Sequence, residues 1–251
     1  MNRRNFILFS ALAAGLSSVA PVAWGGLDFG KIMDAGKSLA DAEAISDEDL
    51  KSYFDQMTAH EDAQNKVAGP TTPHGKRLAK LTSGLSNYNG LDLNFKVYQT
   101  PDINAFAMAN GTIRLYSGLM DEFTDDEIRY VVGHEIGHIQ SGHTKARIQM
   151  AMRTSALKNV VSATDSKAAK LADSQLGDLF EKVILAQHSQ SNEREADDRA
   201  MSFMKTLKYN PQACVTALNK LDKLGGGGAS WLSTHPSPKE RAARMQSQLA
   251  A

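Results

Sequence analysis

The stretch His134-Glu135-Ile136-Gly137-His138 constrains the fold and the chemistry of this chain more than any other. Its two histidines are four positions apart, and residues at that spacing lie on one face of an α-helix. Two imidazoles on one face can bind one metal ion, and the glutamate between them can reach a water molecule beside that ion. Zinc in hydrolytic sites takes a third protein ligand and keeps a fourth position open. The pattern therefore predicts a zinc site for hydrolysis, with His134 and His138 as ligands and Glu135 as general base.

The residues around this stretch predict a helix with one buried side. Thr124-Asp125-Asp126-Glu127 fits a capping box, which favours a helix start just upstream. Gly142 fits a C-terminal stop. The apolar residues that recur at helical spacing between these two signals are Ile128, Val131, Val132 and Ile139. The two histidines thus belong to a half-buried helix, where each imidazole needs a partner.

A third zinc ligand can come from one of two arrangements. The first places another histidine soon afterwards, as in H-E-x-x-H-x-x-G-x-x-H, but this chain has Ser141 and Thr144 at the two decisive positions. Gly142 and His143 are each one residue out of register for that pattern. The second arrangement takes a glutamate from another helix. The downstream candidates are Glu181, Glu193, Glu195 and Glu240.

Helical phase selects Glu193 among these candidates. A mostly apolar stripe runs through residues 179–207 in steps of three and four, and Glu193 and Asp197 interrupt it. A buried carboxylate needs a metal, a charge partner or a proton. We therefore predict Glu193 as the third ligand and Asp197 as the acceptor of a ligand histidine's second ring N–H. The alternative is an ordinary buried salt bridge of these carboxylates to Arg199 or Lys205.

Glu195 lies off this stripe and has Arg199 four residues later. This spacing predicts an ion pair in solvent.

The stretch Asn192-Glu193-Arg194-Glu195-Ala196-Asp197 resembles the N-E-x-x-A-D element of gluzincin metallopeptidases. Asn104-Ala105-Phe106-Ala107 and Tyr116-Ser117-Gly118-Leu119 extend the resemblance, which runs from about Lys76 to Arg244. The family it resembles includes HtpX, the CAAX prenyl protease, the Oma-type proteases and small periplasmic proteases such as LoiP.

The resemblance implies one zinc ion per chain, endopeptidase activity and a role in protein quality control. It also implies unfolded or misfolded envelope proteins as substrates, with the envelope assembly machinery as a candidate peripheral partner. LoiP-like members carry a lipid-anchoring cysteine at the signal cleavage site. This chain has no cysteine there, so no lipid anchor is expected.

The first 25 residues resemble an export signal. Arg3 and Arg4 precede an apolar run from Phe6 to Val19, and small residues surround a cleavage point after Gly25. The start of the chain also resembles a twin-arginine signal, so ordinary secretion and folded export both stay open. Either route predicts a bacterial periplasmic protein that is soluble after cleavage. Residues 26–73 would form an N-terminal helical segment, and residues 74–251 the metallopeptidase domain.

The predicted fold is α+β and mainly helical, with a small antiparallel sheet beside the H-E-x-x-H helix. Leu93 to Tyr98 alternates as a strand, and Asn110-Gly111 joins two further strands in a hairpin. An edge strand beside the metal cleft would pair with an extended substrate, or the sheet would be purely structural. Downstream, one continuous helix is predicted from about Ser174 to Lys208.

His235 is a second catalytic candidate. It lies between the Gly225–Gly228 linker and Pro236, with Arg241 six positions later. Such a side chain could stabilise the negative oxygen that forms during hydrolysis. It could instead occupy the open zinc position and keep the enzyme latent until the linker swings aside, or simply cap the last helix. The other histidines, which we predict at the surface or at helix ends, are His60, His74, His143 and His188.

Composition excludes several other classes. The formal net charge is zero and no basic stripe is present, which argues against a nucleic-acid partner. Cys214 is the only cysteine, so neither an internal disulfide nor a cysteine-based zinc site can form, and we predict it as a buried side chain. Two rival functions stay open: a zinc-stabilised chaperone-like or scaffold protein of the envelope with a plugged site, and a hydrolase of small amides.

Overall fold

The structure is a computed structural model that describes residues 47–153, 173–225 and 229–250. The predicted export signal at residues 1–25, residues 154–172 and most of the glycine linker lie outside these ranges. In the part of the chain that is described, no helix combines the length and the apolar character that crossing a bilayer requires.

The described chain forms helices and one small sheet. In chain order the elements are α1 (Asp47–Gln64), α2 (Pro73–Leu81), β1 (Asn94–Tyr98), β2 (Ala105–Ala107), β3 (Thr112–Tyr116), α3 (Ser117–Glu122), α4 (Asp125–Gln140), α5 (His143–Arg153), α6 (Asp173–Val183), α7 (Gln190–Thr206), α8 (Gln212–Leu224), α9 (Trp231–Thr234) and α10 (Pro238–Ala250). A mainly helical α+β fold is therefore confirmed.

The sheet is mixed, so the prediction of an antiparallel sheet was wrong in part. Its order is β1-β3-β2, with β3 antiparallel to β2 and parallel to β1. The hairpin at Asn110-Gly111 forms as predicted, and Gly111 has a φ of 90°, which favours glycine. The parallel pairing of β1 with β3 results from the segment after β1, which crosses the end of β3. Its Thr100 carbonyl accepts hydrogen bonds from the Gly118 N–H and the Ser117 hydroxyl.

Helix α4 follows its sequence signals closely. Thr124 and Glu127 form both hydrogen bonds of the capping box at its start. Gly142, just beyond its end, has a φ of 67°. The helix is buried against α7, and two of its glycines allow this approach. A Cβ on Gly133 would lie 2.6 Å from the Phe203 ring, and one on Gly137 would lie 2.9 Å from the Ala196 carbonyl oxygen.

The sheet is covered on both faces. On one face it joins the main apolar core with α4, α7 and α8, which includes the buried Cys214. On the other face α1 and α6 pack over Tyr98 and Phe106. Helix α1 lies within the predicted N-terminal helical segment, and its Asp62 pairs with the fully buried Arg114 of β3.

The long helix predicted from about Ser174 to Lys208 is two helices, α6 and α7. Residues 184–189 separate them, and Ser189 caps α7 by accepting a hydrogen bond from the Asn192 N–H. The His188 N–H donates to the Thr234 carbonyl instead of continuing a helix. The end of α6 and the start of α7 are seven residues apart, which is close to two helical turns. The apolar stripe therefore keeps its spacing across the break and does not indicate it.

Candidate metal centre

Helix α4 brings His134, Glu135 and His138 to one buried site. Each of the three side chains is at most 2% exposed. The Nε2 atoms of the two histidines are 3.0 Å apart and face a common centre. The four-residue spacing thus produces the shared face that the sequence indicated.

Helix α7 adds Glu193 to this centre. Its Oε1 lies 3.3 Å from the Nε2 of His138, and its Oε2 lies 3.6 Å from the Nε2 of His134. Arg241 also contacts Glu193, through the guanidinium Nη1 and the carboxylate Oε2. Burial alone would raise the pKa of Glu193, but His235, Arg241 and His134 hold it well below its usual range.

The neighbouring Glu195 faces the other way. It is half exposed and pairs with Arg199 at 3.2 Å, as its helical phase predicts.

His235 supplies a fourth donor atom. Its Nδ1 lies 3.1 Å from the Oε1 of Glu193 and 3.3 Å from the Nε2 of His134. Ligand atoms of His134, His138, Glu193 and His235 all lie within 4.8 Å of one another. The other ring nitrogen of His235, Nε2, lies 3.6 Å from the Oε1 of Glu135.

These separations fit a bound divalent ion. Four donors at about 2.1 Å from zinc in a tetrahedron would be about 3.4 Å apart. The five donor separations given above range from 3.0 to 3.6 Å. Two or three imidazoles and one carboxylate are also a donor set typical of zinc.

The buried carboxylate of Asp197 contacts the second ring nitrogen of His134. The Oδ1 of Asp197 is 3.1 Å from the Nδ1 of His134 and accepts a 2.8 Å hydrogen bond from the Tyr130 hydroxyl. Arg241 donates to both carboxylate oxygens, at 2.8 and 2.9 Å. Burial opposes ionisation of Asp197, but Arg241 and His134 outweigh it and keep its pKa low. Asp197 therefore turns the Nε2 of His134 toward the centre.

His143 and His188 are buried, which corrects their prediction as surface or helix-end residues. They are 6% and 7% exposed. The Nδ1 atoms of His138 and His143 are 2.9 Å apart, and the His188 ring stacks on His138 with centroids 3.8 Å apart. The sequence predicted a helix stop at Gly142 but not the direction of the chain after it, where α5 begins at His143.

The two α4 imidazoles differ in their affinity for protons. Burial and Arg241 lower the pKa of His134, but Glu193 and Asp197 outweigh them and raise it to about 9. Burial holds the pKa of His138 well below its usual value. A metal ion binding to this pair must therefore displace a proton from His134.

A narrow groove passes the candidate metal centre. Its lining includes edge strand β2, Glu135, Arg147 of α5, His235 and the connecting segment at 184–188. The space left inside is about 10 Å³, close to the minimum that one water molecule needs. The hydrogen bond from His188 to the Thr234 carbonyl joins the connecting segment to the loop that carries His235. The described groove is therefore closed to a peptide.

Comparison with known proteins shows which family this chain belongs to. The model of peptidase family M48 matches residues 75–249. The chain belongs to peptidase family M48. It is 40% identical to the metalloprotease YcaL of Escherichia coli over 228 residues, which is 90% of each chain. It is 37% identical to the E. coli metalloprotease LoiP, over 93% of this chain and 94% of LoiP.

A third relative is the β-barrel assembly-enhancing protease of E. coli, 31% identical over 60% of this chain and 33% of that protein. Membership of family M48 makes this chain a metalloprotease, and the resemblance that its motifs indicated is confirmed. The matched residues cover all of the candidate metal centre.

Proposed function

We propose that this chain is a zinc endopeptidase in which His134, His138 and Glu193 hold the metal. The observation that carries the proposal is the convergence of these side chains, from two helices, on one buried centre. Glu193 lies 3.3 Å from one imidazole nitrogen and 3.6 Å from the other. A structural salt bridge would need only one of these contacts, whereas a zinc ion needs all three donors.

Zinc bound there would polarise the scissile carbonyl and make the attacking water more acidic. Glu135 then takes the proton of that water as its oxygen attacks the carbonyl carbon. When the C–N bond breaks, Glu135 passes the proton to the leaving nitrogen. When a metal displaces one proton from His134, Asp197 would hold the remaining N–H at Nδ1 and leave Nε2 to bind the metal. The edge of β2 offers backbone groups with which an extended substrate can pair.

His235 holds the described conformation latent. Its Nδ1 occupies the position of a fourth donor, and its Nε2 is near the base Glu135. Zinc with four protein ligands has no open position for water, which is typical of structural sites. Activation then requires the loop around His235 to move away from the centre, as loops and lids do in many enzymes.

In the cell, the chain acts on unfolded or misfolded proteins of the bacterial envelope, after export into the periplasm. The apolar run after Arg3 and Arg4 supports export. One relative is named a β-barrel assembly-enhancing protease, which supports a peripheral association with envelope assembly machinery. Backbone pairing at β2 suits such substrates, because it recognises extended chain with little dependence on sequence.

The rival function is a zinc-stabilised scaffold whose groove stays plugged. The observation that favours it is the same fourth donor, His235, together with the closed groove. A scaffold would keep this arrangement permanently. The His235→Ala variant separates the two functions, because a latent enzyme gains activity from it and a scaffold does not.

The test measures zinc content and casein cleavage for the purified protein, for His235→Ala and for Glu135→Gln, each with and without chelator. A protease loses activity with chelator and in Glu135→Gln, which keeps its zinc. His134→Ala should lose zinc and some stability, since metal binding is coupled to folding. Normal cleavage by Glu135→Gln would reject the mechanism, and zinc-loaded protein that is inactive with and without His235 would favour the scaffold.

A further inference from the structure

Arg147 is a cation in the groove that pairs with no carboxylate of the described residues. It lies on α5, and its side chain lines the groove together with Glu135 and His138. Its guanidinium donates to the Ala186 carbonyl and contacts the His188 ring, both of which belong to the connecting segment. Its Nε is buried and has no hydrogen-bond partner. Among residues 47–153, 173–225 and 229–250, no aspartate or glutamate forms an ion pair with it.

Neither group that receives its hydrogen bonds is an anion. A backbone carbonyl and an imidazole ring carry no negative charge that could balance the guanidinium. Burial lowers the pKa of Arg147 to about 10, and the guanidinium therefore stays charged at neutral pH. A partly buried charge without an opposite charge is unfavourable.

Bound zinc would offset the negative charges that now favour the ionised form of Arg147. Glu135 and Glu193 are the two carboxylates whose charges favour the ionised guanidinium. If zinc binds as proposed above, its two positive charges offset these two negative ones. Arg147 is then an uncompensated positive charge beside the path that a substrate must take.

The Ala186 carbonyl and the His188 ring of the connecting segment lie against Arg147, where an anion would otherwise bind. When a peptide enters the groove, this segment must leave it, and Arg147 loses the Ala186 and His188 contacts together. A carboxylate can accept two parallel hydrogen bonds from a guanidinium and brings the opposite charge, which neither present partner does.

We propose that Arg147 binds a carboxylate of the substrate, so that the enzyme prefers peptides with an acidic group close to the cleaved bond. This inference rests on the proposed peptidase function. The carboxylate has two sources: an Asp or Glu side chain within the peptide, or the free C-terminus of a peptide that ends near the cleaved bond.

The experiment uses quenched fluorescent peptides of one base sequence and the zinc-loaded protein. A single Glu is moved through three positions on each side of the cleaved bond, and each peptide has a Gln twin. A further pair differs only in a free or an amidated C-terminus. We expect kcat/KM for Glu over Gln to be roughly 10- to 100-fold at one position, the range of a charge-assisted hydrogen-bonded pair. A preference confined to the free C-terminus would identify the second source.

Variants of Arg147 connect the preference to this residue. Arg147→Gln should bring the Glu/Gln ratio close to one, Arg147→Lys should keep part of it, and Arg147→Glu should favour Lys peptides. Lys145→Gln is the matched control, because it removes a positive charge from the same helix at an exposed ion pair with Asp47. The Gln peptides report whether each variant is still a folded enzyme.

Two results would overturn the assignment of Arg147. The first is a wild-type ratio of kcat/KM for Glu over Gln peptides that is near one. The second is an equal change in kcat/KM for Glu and Gln peptides in Arg147→Gln, which would mean that Arg147 only holds the connecting segment in place. Complete absence of cleavage by the zinc-loaded wild type and by zinc-loaded His235→Ala would instead reject the proposed function. In that case, binding of the labelled Glu and Gln twins to the Glu135→Gln protein, measured by fluorescence anisotropy, still decides whether Arg147 selects a carboxylate.

Discussion

The Nδ1 of His235 lies 3.1 Å from the Oε1 of Glu193, and the same imidazole reaches within 3.6 Å of Glu135 through its Nε2. One ring thus contacts both a predicted metal ligand and the predicted general base. It belongs to the loop between α9 and α10, whereas Glu193 is on α7 and Glu135 on α4. We therefore expect the position of this loop to decide whether the centre is open to water and substrate.

Replacing His235 with alanine should activate the enzyme. The variant loses the fourth donor and frees Glu135, so casein cleavage should rise roughly 5-fold or more, the lower end of typical coupling between a regulatory contact and an active site. His74→Ala is the control, because His74 pairs at the surface with Asp121. A fall in activity would mean that His235 acts during the reaction, as a donor to the negative oxygen.

Asp197→Asn should weaken zinc binding. The amide cannot replace the carboxylate that holds the Nδ1–H of His134, and losses of about 10- to 100-fold in metal affinity are typical for such partners. Competition with a fluorescent zinc chelator measures the dissociation constant, and circular dichroism reports folding. Asp198→Asn is the neighbouring control, since Asp198 is 46% exposed and pairs with Arg244 at the surface. Equal affinities of the two variants would contradict the role given to Asp197.

Gly137→Ala should disturb the contact between α4 and α7. Its Cβ would lie 2.9 Å from the Ala196 carbonyl oxygen and 3.0 Å from the Ala196 Cα, and these backbone atoms cannot move independently of the helix. We expect a loss of about 1–3 kcal/mol in the free energy of unfolding, measured in urea, together with weaker zinc binding. Gly177→Ala on α6 is the control, because its nearest neighbour is 3.9 Å away. An unchanged zinc affinity would show that the helix spacing does not control the site.

Asp62→Asn should lower stability in a pH-dependent way. Asp62 accepts hydrogen bonds from Arg114 at 2.8 and 3.0 Å, and the arginine is 0% exposed. Removing one partner of a buried pair costs about 3–5 kcal/mol. Burial raises the pKa of Asp62, but hydrogen bonds from Arg114, Lys96 and Tyr98 outweigh it and lower the pKa below 3.8. The stabilisation is therefore complete above that value and declines as the pH falls through the folded-state pKa.

Urea unfolding of the wild type and Asp62→Asn, with chelator present, measures this effect. The difference in unfolding free energy should be larger at about pH 7 than at about pH 3. Asp55→Asn, at a half-exposed ion pair on the same helix, should change stability by about 0.5 kcal/mol or less. A difference between wild type and Asp62→Asn that does not change with pH would contradict the ionic role of Asp62.

Much of the centre could be predicted because it depends on the geometry within single helices. The capping box before α4 predicted where that helix starts, and the four-residue spacing predicted that His134 and His138 share a face. The apolar stripe placed Glu193 toward the core and Glu195 toward solvent, as observed. The Asn110-Gly111 pair predicted where the hairpin turns, but only Gly111 of the two has a positive φ, so the turn is not the two-residue type that this pair favours.

The errors all fall where the chain leaves a regular element. The stripe could not reveal the break between α6 and α7, because its two halves stay in phase across it. The turn at Gly142 reoriented His143, and the segment after Val183 brought His188 onto His138. The parallel pairing of β1 with β3 came from the crossing segment after Tyr98, which has no periodic pattern.

The sequence by itself determined which side chains share a face of α4 and of α7, since backbone geometry sets that pattern within each helix. Only the tertiary structure decided that the two faces meet, and that Arg241, His143, His188 and Arg147 surround them. These contacts between elements depend on the directions of turns and on close packing between distant parts of the chain. The approach of Gly137 to Ala196 is one example.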